Sequence, residues 1–117
     1  MSDVDQLVGP WLTLPDVAER LGVDVGKVRR LVRDRYLLAL RRGDPKVLSV
    51  PEALLHQGQP LPELRGTLTV LADSGFDDVA AMEWLFTPDD SLPGTPVEAL
   101  RAGRKTEIRR RAQALAL

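Results

Sequence analysis

The sequence contains no cysteine. Disulfide scaffolds, thiolate-bound zinc, iron–sulfur clusters and thiol nucleophiles are thereby excluded. Histidine is almost as scarce: His56 stands alone, and one imidazole supports neither a transition-metal site nor an assignable Ser/His relay. No cofactor, metal or enzymatic activity is therefore expected. Aromatic residues number only five, two Trp, one Tyr and two Phe, which leaves little for stacking single-stranded bases. Apolar runs stop after a few residues, far short of a membrane span, and no membrane association is expected. The opening Met-Ser-Asp-Val-Asp is acidic where a secretory leader is basic, so the cytoplasm is the expected compartment. What remains is an ordinary globular composition, 44% hydrophobic and 28% charged, in 117 residues. That length suits one domain or two small ones sharing a core.

The net charge of −1 conceals a segregation. Residues 1–19 sum to −4, residues 20–46 to +6, residues 47–100 to −8 and residues 101–117 to +5. Such blocks either pair with one another in the fold or present a concentrated positive patch to a polyanion. Charge alone does not separate the two.

The local pattern does more. Thr13-Leu14-Pro15-Asp16 reads as a helix start, with Thr13 as cap, Pro15 in the first turn and Asp16 where a capping-box acid belongs. Leu14, Val17, Ala18 and Leu21 then form one apolar face, and Gly22 ends the helix. Asp24 caps a second helix with Val25, Val28, Leu31 and Val32 inward. Two short helices joined by a Gly-containing turn are the helix-turn-helix pattern. After Tyr36, the runs Leu38–Arg42 and Lys46–Val50 flank Gly43-Asp44-Pro45, which predicts a β-hairpin wing. Pro51–Leu55 reads as the start of a third helix, and residues 57–62 as a breaker-rich linker. Beyond it four helices are expected. The first spans Glu63 to Ala72 and the second, capped by Asp77, carries Val79, Met82, Leu85 and Phe86. The third begins at Thr95-Pro96, and the last runs from about Arg104 with Ile108, Ala112 and Leu115 inward.

The face of the second helix opposite its apolar one carries the chemistry. At about 100° per residue, Arg29, Arg30 and Arg33 fall within about 60° of Gly26, with Lys27 beside them. A helix fits the DNA major groove, and arginine grips guanine O6 and N7 through a two-pronged fork. Arg29, Arg30 and Arg33 are accordingly the base-reading candidates; Lys27, Arg35, Arg41, Arg42 and Lys46 are the phosphate candidates. The paired acids Asp77-Asp78 and Asp89-Asp90 read as caps and loop residues. Arg109, Arg110 and Arg111 cover about 200° of helix surface, so they cannot all face one ligand. Contacts to the acidic 73–98 block are expected of them, with a second DNA contact as the alternative.

The stretch Trp11–Tyr36 resembles the helix-turn-helix of excisionase- and MerR-like winged-helix proteins. More specifically, the chain resembles an actinobacterial DNA-binding family that joins such a domain to a C-terminal helical domain. Met82-Glu-Trp84-Leu-Phe-Thr-Pro-Asp89, Ser91-Leu92, Pro96-Val-Glu-Ala-Leu100 and Arg110-Arg-Ala-Gln-Ala114 carry that likeness. It implies a regulatory protein that binds double-stranded DNA. Some relatives read paired half-sites as dimers, which admits a homodimer here, although no heptad supplies one. The best-known members look like substrates of a membrane Ser/Thr kinase through a longer N-terminal tail. The segment before Trp11 departs from that pattern, holding Ser2 and no Thr.

The stretch Trp84-Leu85…Leu92-Pro-Gly94-Thr-Pro96…Leu100…Gly103 is also similar to the toxin-binding domain of Xre/ParS-type antitoxins. That likeness implies a protein partner at Trp84 and Leu92. The expected architecture is thus mainly α: a tail over 1–10, a winged helix-turn-helix over 11–57 and a helical domain over 62–117.

Overall fold

The computed structural model describes residues 4–115. The N-terminal half begins with α1 (Val4–Val8), β1 (Trp11–Thr13), α2 (Leu14–Leu21) and α3 (Val25–Arg33). It continues through β2 (Leu40–Arg42), β3 (Val47–Pro51) and a single 3-10 turn at Glu52–Leu54. A minimal hairpin, β4 (Leu55–His56) and β5 (Gln59–Pro60), leads into four helices. These are α4 (Leu64–Asp73), α5 (Asp78–Phe86), α6 (Pro96–Arg101) and α7 (Lys105–Gln113). Among the described residues no helix is long and apolar enough to cross a membrane.

The helix-turn-helix forms as its caps dictate. Thr13 Oγ1 accepts from the Asp16 amide while the Asp16 carboxylate accepts from the Thr13 amide, closing a capping box ahead of Pro15. Gly22 takes the left-handed conformation, φ 71°, that ends α2 without a Cβ clash. Asp24 then accepts from the Lys27 amide at 2.7 Å and starts α3. Helices α2 and α3 pack together, and Val17 and Val28 are fully buried.

The wing is a three-stranded antiparallel sheet in the order β1-β3-β2. Leu40, Arg41 and Arg42 lie opposite Ser49, Leu48 and Val47, and Trp11, Leu12 and Thr13 opposite Pro51, Val50 and Ser49. The hairpin therefore stands where the sequence predicts it, but shorter on its first strand. Leu37, Leu38 and Ala39 are buried core residues ahead of β2, not part of it.

Several expectations are corrected. The tail over 1–10 contains α1, whose Val4 and Val8 are buried and which packs on α5; Ser2 lies outside the described residues. The helix expected from Pro51 is one 3-10 turn, because the chain must bury Leu54 and Leu55 and then reverse. The segment read as a linker is that reversal: Gln57 and Gly58 both take positive φ, and the Leu61 amide donates back to the Leu54 carbonyl at 2.9 Å. The four helices that follow are those predicted. Val79 and Leu115, however, are 44% and 38% exposed and are not core residues.

One hydrophobic cluster joins the halves. Leu12, Val28, Leu38, Val50 and Leu54 belong to it together with Leu64, Leu68, Met82, Leu85, Leu100 and Ile108. Ionic contacts support it from outside. Arg111 reaches Asp89 at 3.7 Å, the Ser91 hydroxyl at 2.7 Å and Glu107 at 3.0 Å, tying the α5–α6 loop to α7. Hydrogen bonds from Ser91, with Arg111 nearby, hold the Asp89 carboxyl below the usual carboxylate value; the bond from Arg111 does the same for Glu107.

Two outcomes follow from these contacts. Thr13→Ala loses one side of the capping box and should lower stability by about 1 kcal/mol in urea unfolding. Because Asp89 and Glu107 titrate lower in the folded chain, their contribution is complete above the ordinary carboxylate value and is lost as pH falls through the folded one. The melting-temperature gap between wild type and Arg111→Gln should therefore be full at about pH 7 and narrow toward about pH 3.

Candidate nucleic-acid interface

Helix α3 is two and a half turns of strongly divided surface. Val28 is 0% exposed, whereas Lys27, Arg29, Arg30 and Arg33 all stand in solvent. Arg30 folds back toward the helix N-terminus: a Cβ at Gly26 would lie 3.7 Å from its Nη1. Arg33 donates from Nε to the adjacent Asp34 at 3.2 Å, a largely exposed pair of small energetic weight.

The wing meets α3 across a cleft of about 250 Å³. Arg29 from α3, Arg41 and Leu48 from the wing, and Leu14 and Pro15 from the start of α2 line it. Arg41 is exposed and also borders a second depression, with Gly43 and Lys46. Among the described residues Lys27, Arg29, Arg30, Arg41 and Lys46 take part in no ion pair.

Two of the phosphate candidates are held differently. Arg35, in a left-handed conformation at φ 70°, donates from Nη1 to Asp78 Oδ1 at 2.9 Å, joining the end of α3 to the start of α5. Arg42 donates from Nε to Asp5 at 3.0 Å and lies over the Trp11 ring, 4.8 Å from its centroid. Both guanidiniums cross-link elements of the fold. Sequence reasoning had no signal for these partners, which lie 43 and 37 residues away. It also had none for Leu14 and Pro15 as the wall opposite Arg41.

Trp84 and Leu92 do not form an open apolar groove. Leu92 is 7% exposed and belongs to the core, and Trp84 packs part-buried against that same core. Of the arginine triplet, Arg111 makes the loop contacts given above and Arg109 reaches Glu63 at 3.3 Å; Arg110 is exposed.

A capped helix pair, an antiparallel wing and a cationic outer face define a winged helix-turn-helix, here fused to four C-terminal helices. Residues 2–55 match a family model described as the DNA-binding protein Rv2175c, wHTH domain. Residues 61–116 match the Rv2175c C-terminal domain of unknown function. The chain is 42% identical over 120 aligned residues to the DNA-binding protein Rv2175c of Mycobacterium tuberculosis (strain ATCC 25618 / H37Rv), covering 92% of this chain and 81% of that protein. The NMR structure of Rv2175c superposes with a TM-score of 0.83 at 40% identity, over 92% of this chain and 82% of the other. The chain belongs to the Rv2175c family, the actinobacterial family whose likeness its C-terminal motifs carry.

Neighbouring wing arginines should separate by role. Arg42→Ala loses both its carboxylate and its ring and should cost about 0.5–1 kcal/mol in urea unfolding. Arg41→Ala, which removes no intramolecular contact of this kind, should stay within about 0.5 kcal/mol of wild type.

Proposed function

We propose that this protein binds duplex DNA and acts as a transcriptional regulator. In this reading α3 enters the major groove and the wing lies on the flanking backbone. The observation that carries it is the set of cations on α3 and the wing left without carboxylate partners, although the chain as a whole is slightly acidic. A polyanion is the partner that relieves that surplus. The name of the mycobacterial relative, a DNA-binding protein, supports the same reading.

Roles divide by position. Arg29, Arg30 and Arg33 point from the groove-entering face and are the base or groove-edge contacts. Lys27, Arg41 and Lys46 serve phosphates, where a point charge suffices. Arg35 and Arg42 act by holding α3 and the wing in place through Asp78 and Asp5, so their contribution to binding is positional. In this reading a DNA-reading unit spans 11–57 and a helical unit 62–117.

Anisotropy titration of duplexes selected from a random pool tests the proposal. With about four to six phosphates neutralised per subunit, log affinity should fall against log salt with a slope near −4 to −5. Arg30→Ala should cost about 1–3 kcal/mol where it grips a guanine. Unchanged binding by the Arg29→Ala/Arg30→Ala/Arg33→Ala triple variant rejects the assignment of α3.

A further inference from the structure

The carbonyl end of a helix attracts a cation, and the cation at the end of α3 comes from the other half of the chain. Arg65, in the first turn of α4, donates from Nε to the Asp34 carbonyl at 2.9 Å. Its guanidinium lies over the ring of Tyr36, 5.0 Å from the centroid. Arg33 holds the same Asp34 through its carboxylate at 3.2 Å. Arg33 belongs to the exposed face of α3, so Arg65 stands a single residue's width from that face. Arg65 and Tyr36 are both exposed. A carbonyl and a ring leave the charge of Arg65 intact, and among the described residues no carboxylate pairs with it.

Past Tyr36 the surface drops into a cleft of about 460 Å³, lined by Tyr36, Gln59, Pro62, Glu63, Arg65 and Arg109. Arg109 closes it from α7, with Nη2 3.3 Å from the Glu63 carboxylate. It lies flat on α4 because residue 66 is glycine; a Cβ there would collide with the guanidinium. One carboxylate against two guanidiniums leaves the cleft positive.

We propose that this Tyr36–Arg65–Arg109 cleft binds a backbone phosphate of duplex DNA, so that the C-terminal half extends the interface beyond α3. The proposal rests on the DNA-binding reading above. With the Nε of Arg65 occupied by Asp34, its Nη donors remain for phosphate oxygens, and the Tyr36 hydroxyl adds another donor. The ring and the carbonyl fix the guanidinium in advance, so little side-chain freedom is lost on contact. A free anion would meet a shallow, open site. A phosphate delivered by a duplex already seated on α3 meets it at high local concentration. Because Arg65 is held on the Asp34 carbonyl at the end of α3, the contact sits at a fixed step from that helix. Such a contact sets register and carries no sequence information.

Full-length Arg65→Gln, Arg109→Gln, the double variant and Arg65→Lys are titrated by anisotropy against a selected duplex and a mixed-sequence duplex. Circular dichroism and melting temperature report whether each variant is folded. Each single Gln variant should weaken binding about three- to tenfold on both duplexes, and the double variant, which gives up the one phosphate of the cleft, should lower the salt slope by about one. Arg65→Lys keeps the charge but loses the carbonyl and ring contacts that fix it, and its affinity should fall between those of wild type and Arg65→Gln. Ethylation interference should lose phosphates at one edge of the site while those beneath α3 persist. A folded double variant with unchanged affinity and slope overturns the proposal and leaves DNA binding through α3 standing. If the double variant does not fold, Arg109→Gln alone decides by the same criteria. Absence of duplex binding by the wild type overturns both readings.

Discussion

The structure depends on a short helix that crowds like charges along one side and is held in place by a few apolar side chains on the other. Arginines at positions i, i+1 and i+4 repel one another, and α3 is too short to be stable by itself. Burial of Val28 in the common core, with Leu31 and Val32 packed partly against it, offsets that repulsion. The Asp24 cap adds to the offset by accepting from the Lys27 amide, and among the described residues it forms no ion pair with the arginines. Removing the apolar anchor would leave nothing to hold the cations together. Removing the cations would leave a stable helix with no attraction for a polyanion.

The charge segregation of the sequence is resolved in both of the ways it permits, at different residues. Where a basic residue stands at a junction between elements, it finds a carboxylate or carbonyl. Arg20 meets Glu52, Arg35 meets Asp78, Arg42 meets Asp5, and Arg101 donates to the Ala53 and Leu55 carbonyls. On the free faces of α3 and the wing, Lys27, Arg29, Arg30, Arg41 and Lys46 meet no carboxylate among the described residues, and Arg33 meets only its neighbour Asp34 in an exposed pair. Position within the fold, not residue type, decides which arginines cross-link and which remain available. The acidic stretch over 47–100 supplies Glu52 to Arg20, Glu63 to Arg109 and Asp89 to Arg111, and Asp78, at the start of α5, takes Arg35 out of the exposed set. Asp77 caps α5 instead.

This division marks what the sequence makes legible. Elements whose start is written in adjacent residues, such as the Thr13–Asp16 box, the Asp24 and Asp77 caps and the Thr95-Pro96 cap, stand where local chemistry places them. The cationic face of α3 is equally legible, since helical geometry fixes it once the cap is recognised. Elements that exist only through distant partners are not. Strand β1 is three residues long and forms because β3 offers an edge, and α1 is five residues stabilised by burial against α5. The 3-10 turn replaces a helix because Leu54 and Leu55 must both enter the core, a demand that no window of local sequence displays. The partners of Arg35 and Arg42 belong to the same category.

A single core shared by both halves has a mechanical consequence for the interface. The last turn of α3 is clamped from two C-terminal helices, by Arg65 of α4 at the Asp34 carbonyl and by Asp78 of α5 at Arg35. The wing is tied separately, through the β3 register and through α1, which itself packs on α5. Helix and wing therefore share α5 as a common support, and their relative spacing is set by the C-terminal half as much as by the strands between them. The proposed DNA contacts need that spacing fixed, because two surfaces that engage one duplex add their affinities only when geometry lets both seat together. The helical half thus does structural work for recognition even at residues that meet no nucleic acid. Leu61 is the buried residue of the 57–62 segment, and the one hydrophobic cluster spans both halves around it, where two loosely tethered domains would have left a solvent-filled break.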